Sequence, residues 1–175
     1  DLPRLSDRLP AGVGLVDAPV SGSHIAAETG NLTFMVGGAD ADVDAVRPAF
    51  EAMGSSIHHA GPTGAGMVCK VVNNHVILST MVSVRKGLAL AQAHGVSEQS
   101  VLDALTAGSG FVWYADNINK IDYGREGYEP VVGNTMAILE KDLKAYIDAF
   151  ADLPDLDTDK FEEGMMENLL AFKEI

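Results

Sequence analysis

The sequence predicts an α+β chain in which a strand-bearing first sixty residues give way to an all-helical remainder, so the expected domains are 1–60 and 61–175. Three observations carry this. Short apolar runs rich in β-formers, Val13–Val20 and Leu32–Val36, stop at a proline-bounded loop and a glycine pair. Everything after Gly61 has helical spacing and helical stop signals instead. Between the two lies GPTGAGMVCKVVNN, Gly61 to Asn74, in which a glycine-rich entry runs into a long apolar stretch that carries Lys70, Asn73 and Asn74.

Taken in order, Val13–Val20 and Leu32–Val36 read as strands, and the small-residue loop Ser21–Gly30 between them has room for one helical turn. Asp40–Met53 places Val43, Val46, Phe50 and Met53 at helical spacing, with acids at the positive end of the helix dipole. Ser55–Ala60 is a third short strand. Met67–His94 reads as a helix apolar nearly all round, a type that belongs inside a protein or between subunits, and Gly95 ends it. Ser97 opens a helix through Ala107, and Phe111–Ile121 forms another. A loop, Tyr123–Gly133, leads to a helix over Asn134–Phe150. A linker, Asp152–Asp159, precedes the last helix, Lys160–Glu174.

Composition narrows the function classes. Hydrophobic residues make up 47% of the chain, enough for a packed core, while 25 acidic against 12 basic residues give a net charge of -13. With no Lys/Arg cluster, a nucleic-acid backbone binder is disfavoured. The single cysteine, Cys69, excludes an internal disulfide framework and suits a reducing cytoplasm. Lys70, Asn73, Asn74, Arg85 and Lys86 interrupt the longest apolar stretch, which argues against a membrane span.

On a helix, Lys70, Asn73 and Asn74 share a face, being spaced i, i+3 and i+4. Two readings are open: a surface stripe that happens to hold a lysine, or a catalytic amine with its orienting amides. Among Met67, Val68, Val71 and Val72, such an amine is expected to be partly desolvated and to titrate below an ordinary lysine. His58 and His59 point to opposite faces of a strand, and with His75 they join no ligand cluster, so no metal is expected. Cys69 is expected in the core rather than as a nucleophile.

Four blocks taken together carry a resemblance: DAPVSGS at Asp17–Ser23, GNLTFMVGG at Gly30–Gly38, GPTGAGMVCKVVNN at Gly61–Asn74 and EKDLKA at Glu140–Ala145. In this order over nearly the whole chain, they resemble the beta-hydroxyacid dehydrogenase family. The resemblance implies a dinucleotide-binding domain followed by a helical domain, with NAD or NADP as cofactor. The G-x-G-x-x-G turn that holds a pyrophosphate is absent from the sequence. The chain therefore reads as an α+β fragment: the C-terminal strands of a Rossmann-type domain, then an all-α domain like the C-terminal part of 6-phosphogluconate dehydrogenase. The strand edges of the first sixty residues are expected to seek partners.

Carried over by the resemblance, Lys70 is the catalytic lysine that exchanges a proton with the substrate oxygen. Asn74 fixes the substrate hydroxyl and the amine, and Asn73 either is a second amide there or bonds backbone at the domain junction. Ser21, Gly22 and Ser23 bind the substrate carboxylate, with a plain turn as the alternative reading of this loop. Lys141 lies near the cofactor and Asp142 supports the substrate site, although a salt-bridged helix surface explains that pair nearly as well. The chain departs from the family pattern at three positions: Ser23 stands where a glycine is usual, Asn134 where an aromatic is usual, and Lys86 where glutamate is common. Phe111 or Trp113 could close the pocket instead.

The leading expectation is thus an NAD(P)-dependent oxidoreductase of small beta-hydroxy acids or semialdehyde carboxylates, cytoplasmic and homo-oligomeric, with no nucleic-acid or membrane partner. The competing one is a non-catalytic helical dimerisation module, invited by the long apolar helix. Lys70 argues against an imine reductase. The lack of a basic cluster beside the Ser21 loop argues against a sugar-phosphate substrate.

Overall fold

Leu32–Gly37 (β2) is the central strand because its apolar side chains Phe34 and Val36 have somewhere to go: both are buried, together with Val43. In this computed structural model, residue 5 and residues 7–121, 135–150 and 159–171 are described, and they fall into two compact units, Asp1–Asn73 and Asn74–Ile175.

In the first unit, Val20–Ser21 (β1) pairs antiparallel with β2, matching Val20 with Phe34 and Ser21 with Thr33. The six-residue helix Ser23–Glu28 (α1) separates them in sequence. Asp40–Glu51 (α2) crosses from β2 to Gly54–Gly61 (β3), which runs parallel to β2 from Leu32 opposite Gly54 to Gly37 opposite Gly61. Parallel strands require such a crossover, and Asp40 and Asp42 in the first turn of α2 favour its start there. The sheet order is β1-β2-β3. Val16, Ala18, Leu32, Phe50 and Ile57 pack around the buried trio, with the Phe34 and Phe50 rings stacked at 4.8 Å.

The strand expected over Val13–Val20 is shorter than its apolar run. Only Val20 enters the regular ladder, with an isolated antiparallel bridge between Asp17 and Gly37. Both pairings belong to one register. The ladder breaks between them where Pro19 has no N–H to give, although its carbonyl still accepts from the Met35 amide at 3.0 Å.

The glycine-rich junction opens Ala65–Ala93 (α3), a 29-residue helix that runs from the first unit into the second. The second unit continues with Glu98–Ala107 (α4), Trp113–Ile121 (α5), Thr135–Phe150 (α6) and Asp159–Ala171 (α7). Gly95, at φ +72°, closes α3 in the left-handed region, and the Ser97 hydroxyl caps α4 by accepting from the Ser100 amide at 3.2 Å. The core of this unit holds Leu78, Met81 and Val84 of α3 with Leu102, Tyr114, Ile118, Ile121, Leu139, Leu143 and Met165.

In α3, Leu78, Met81 and Val84 recur every third residue and form one buried stripe, whereas Val68, Val72, Val76 and Leu90 are exposed. One expectation about this helix is corrected. Cys69 is exposed rather than core, because it sits within one or two turns of Val72 and Val76 on that open side. By length and hydropathy α3 could cross a membrane, but its polar positions Lys70, Asn73, Asn74, Arg85 and Lys86 interrupt it. The expected loop Tyr123–Gly133, Asn134, and the expected linker up to Thr158 lie outside the described residues.

Candidate active site

In the first unit, the loop after β1 is bent by its backbone. Gly22 has φ 118° and Ser23 has φ 62°, both in the left-handed region that a Cβ disfavours. Ser23 is thus held in a conformation natural to glycine, and its hydroxyl lies 3.1 Å from Nδ1 of His24. The bend leaves Ser21 at the end of β1. There its Oγ accepts from Nδ2 of Asn73 at 3.3 Å. Lys70 precedes Asn73 by three positions on α3, so both side chains stand on one helical face.

Lys70 is half-buried, but not inside the expected apolar casing. Met67, Val68 and Val72 are exposed and Val71 is half-buried, because the exposed stripe of α3 passes through these positions.

A residue with no assigned role in the sequence anchors this region. Asp17 is 6% exposed, and its carboxylate accepts from the backbone amides of Gly64 at 2.5 Å and Met67 at 2.8 Å, the N-terminal donors of α3. One signal for it was available: a carboxylate inside the run VGLVDAPV cannot be buried without donors.

In the second unit, Asn74 Nδ2 donates to Oδ2 of Asp142 at 2.9 Å. The Lys141 ammonium contacts the other carboxylate oxygen at 2.6 Å, with its side chain 71% exposed. Asp142 is therefore held between an amide and an ammonium, and the ion pair itself contributes little at that exposure. One residue further along α3 and one turn further along α6, the His75 ring stacks on Tyr146 at 3.6 Å. His75 Nε2 lies 3.8 Å from Oε1 of Glu162 on α7, and Phe161 meets the ring edge-on at 6.0 Å. Burial lowers the pKa of His75, and the Glu162 charge opposes that shift only in part. Burial, then the same charge, raises that of Tyr146.

The adjacent histidines of β3 are used locally. His58 Nε2 lies 2.9 Å from the Ser56 hydroxyl, while His59 Nε2–H donates to the carbonyls of Gly38 at 2.9 Å and Gly61 at 3.1 Å. Among the described residues no group of three His, Cys, Asp or Glu side chains comes together.

A small sheet that ends in a parallel β-α-β unit, followed by an all-helical unit, has the elements of a partial Rossmann-type domain and a helical domain. The sequence agrees with it over most of its length. Residues 5–61 match the NAD-binding domain of 6-phosphogluconate dehydrogenase, and residues 64–154 match the NAD-binding region of NADP-dependent 3-hydroxyisobutyrate dehydrogenase. The second match alone covers more than half of the chain, which belongs to the beta-hydroxyacid dehydrogenase family.

Among similar proteins, the NAD-dependent L-serine dehydrogenase of Pseudomonas aeruginosa is 42% identical over 108 residues, which are 62% of this chain and 36% of that one. A probable 3-hydroxyisobutyrate dehydrogenase of Mycobacterium bovis is 33% identical over 146 residues, 80% of this chain and 49% of the relative. The solved 3-hydroxyisobutyrate dehydrogenase of Mycobacterium tuberculosis with L-serine superposes with a TM-score of 0.72 at 29% identity, over 91% of this chain and 55% of that one. The chain thus spans about a third to a half of the length of the curated relatives it matches.

Proposed function

We propose that this chain supplies the substrate loop and the acid/base lysine of an NAD(P)-dependent dehydrogenase or reductase acting on small beta-hydroxy acids or the corresponding semialdehyde carboxylates. The observation that carries the reading is the Asn73 to Ser21 hydrogen bond, which ties the DAPVSGS loop to the helical face that also bears Lys70.

In this reading, Ser21 and the backbone N–H groups around Gly22 and Ser23 take the substrate carboxylate, small side chains allowing close approach. Lys70 removes the hydroxyl proton in oxidation and returns it to the carbonyl oxygen in reduction. Asn74, one turn along α3 from Lys70, orients the hydroxyl, and Asp142 holds the Asn74 amide in place. When bound, NAD or NADP would supply the hydride chemistry. The donor set fits that partnership: an ammonium, neutral amides and hydroxyls, with the Asp142 carboxylate already engaged by Asn74 and Lys141. The exposed ammonium of Lys141 is the group suited to an anionic part of the cofactor.

The test is turnover of the full-length enzyme carrying Lys70→Met, assayed with NAD and NADP against L-serine and 3-hydroxyisobutyrate. A loss of about 10²- to 10⁴-fold in kcat with cofactor affinity kept is expected. Undiminished turnover contradicts the assignment.

The exposed apolar side chains Val68, Val72, Val76 and Leu90 of α3 favour a second reading, a helical association module. Turnover of the full-length enzyme under Lys70→Met, alongside sedimentation of the 175-residue chain, separates the two. Self-association together with turnover undiminished by Lys70→Met favours the module.

A further inference from the structure

Asp17 joins two things that the proposed chemistry needs in register. Its backbone is fixed to β2, its N–H donating to the Gly37 carbonyl at 2.9 Å and its carbonyl accepting from the Gly37 amide at 2.8 Å. Four residues later in the same segment stands Ser21 of the substrate loop. Its side chain meanwhile holds the first turn of α3 through the Gly64 and Met67 amides. The fit leaves no slack. A Cβ on Gly66 would stand 2.8 Å from Asp17 Oδ2 and 3.0 Å from its carbonyl oxygen, so the helix comes this close only because that position has no side chain.

We infer that Asp17 is a positioning residue for Lys70, capping α3 from the neighbouring β-segment and so fixing the rotation of the helix that presents the lysine. Lys70 lies three residues after Met67, whose amide the carboxylate grips, and therefore projects from the same face one turn on. A helix N-terminus without a counter-charge disfavours a nearby ammonium, and the carboxylate also offsets that positive end. Because Asp17 takes these amides, they are closed to a phosphate or carboxylate ligand, which leaves anion recognition to the Ser21 loop. This role rests on the acid/base reading of Lys70, but it is measurable without catalysis.

The experiment is Asp17→Asn, which keeps the shape and removes the charge, in the full-length enzyme with isotope-labelled lysine. The Lys70 side-chain resonance is followed against pH, amide exchange at Gly64 and Met67 is measured, and kcat and KM are determined separately. The expected result is a downward shift of the Lys70 midpoint, exchange at least about tenfold faster at both amides, and a kcat loss of about tenfold or more with KM changed less than about twofold. A purely structural aspartate would lower the melting temperature without moving the Lys70 midpoint, and that outcome overturns the inference.

Should the variant fail to fold, the unaltered protein still decides. The Gly64 and Met67 amides must be protected together from hydrogen exchange, and exchange at the rate of unbonded amides overturns the inference. If Lys70→Met keeps full turnover while Asp17→Asn still moves the Lys70 midpoint, the acid/base reading fails and the positioning link stands.

Discussion

The sheet unit and the helical unit treat buried polar groups in opposite ways. In the first, the Asp17 carboxylate is met by two backbone amides at 2.5 and 2.8 Å, partners that cannot rotate away or change protonation. In the second, the His75 and Glu162 side chains face each other at 3.8 Å, beyond good hydrogen-bond length. His75 Nδ1 and Glu162 Oε2 have no hydrogen-bond partner among the described residues. Backbone donors hold the first group in place, while burial keeps the His75 imidazole below its ordinary pKa against the opposing Glu162 charge.

Breaking the backbone-held arrangement should have the largest effect. Gly66→Ala places a methyl against Met35 O and both Asp17 oxygens facing it, and should cost about 3 kcal/mol, read as a lower denaturation midpoint at unchanged m-value. Asn74→Ala leaves the 17%-exposed Asp142 carboxylate without its amide donor and should cost about 1.5 kcal/mol, with a drop in kcat as the readout of the proposed site. Ser23→Gly relieves a left-handed backbone that serine adopts unwillingly, and should raise stability by about 0.5–1 kcal/mol, a rise of a few degrees in Tm.

His75→Phe should change least at neutral pH, since the ring stack on Tyr146 survives, and should act on the acid side. Burial lowers the His75 pKa below its usual 6.5, so the unfolded chain binds that proton more readily than the folded one. The stabilisation is complete above pH 6.5 and is lost as pH falls through the folded-state value. The phenylalanine variant should flatten that acid-side slope in denaturation curves measured between about pH 7 and 5.

Much of this was legible in the sequence where the signal is local. Ser97 and Gly95 mark helix ends by cap and left-handed turn chemistry, the acids Asp40 and Asp42 mark the start of α2, and the long helix declares itself by composition. The site motifs are legible as text, including the departure at Ser23, whose φ of 62° gives it a physical meaning. What could not be read depends on the direction a helix faces and on distant chain. Cys69 and the apolar neighbours of Lys70 are exposed because the tertiary contacts of α3 fall on Leu78, Met81 and Val84. Asp17 meets its donors some fifty residues away, a separation that no local pattern encodes.

The most direct test of the central claim is chemical rescue of Lys70→Ala in the full-length enzyme with small primary amines. If the Lys70 ammonium is the proton-exchanging group, turnover should be depressed about 10²-fold or more and return in proportion to added alkylamine, following its basicity. Turnover equal to the unaltered enzyme without any amine would contradict it.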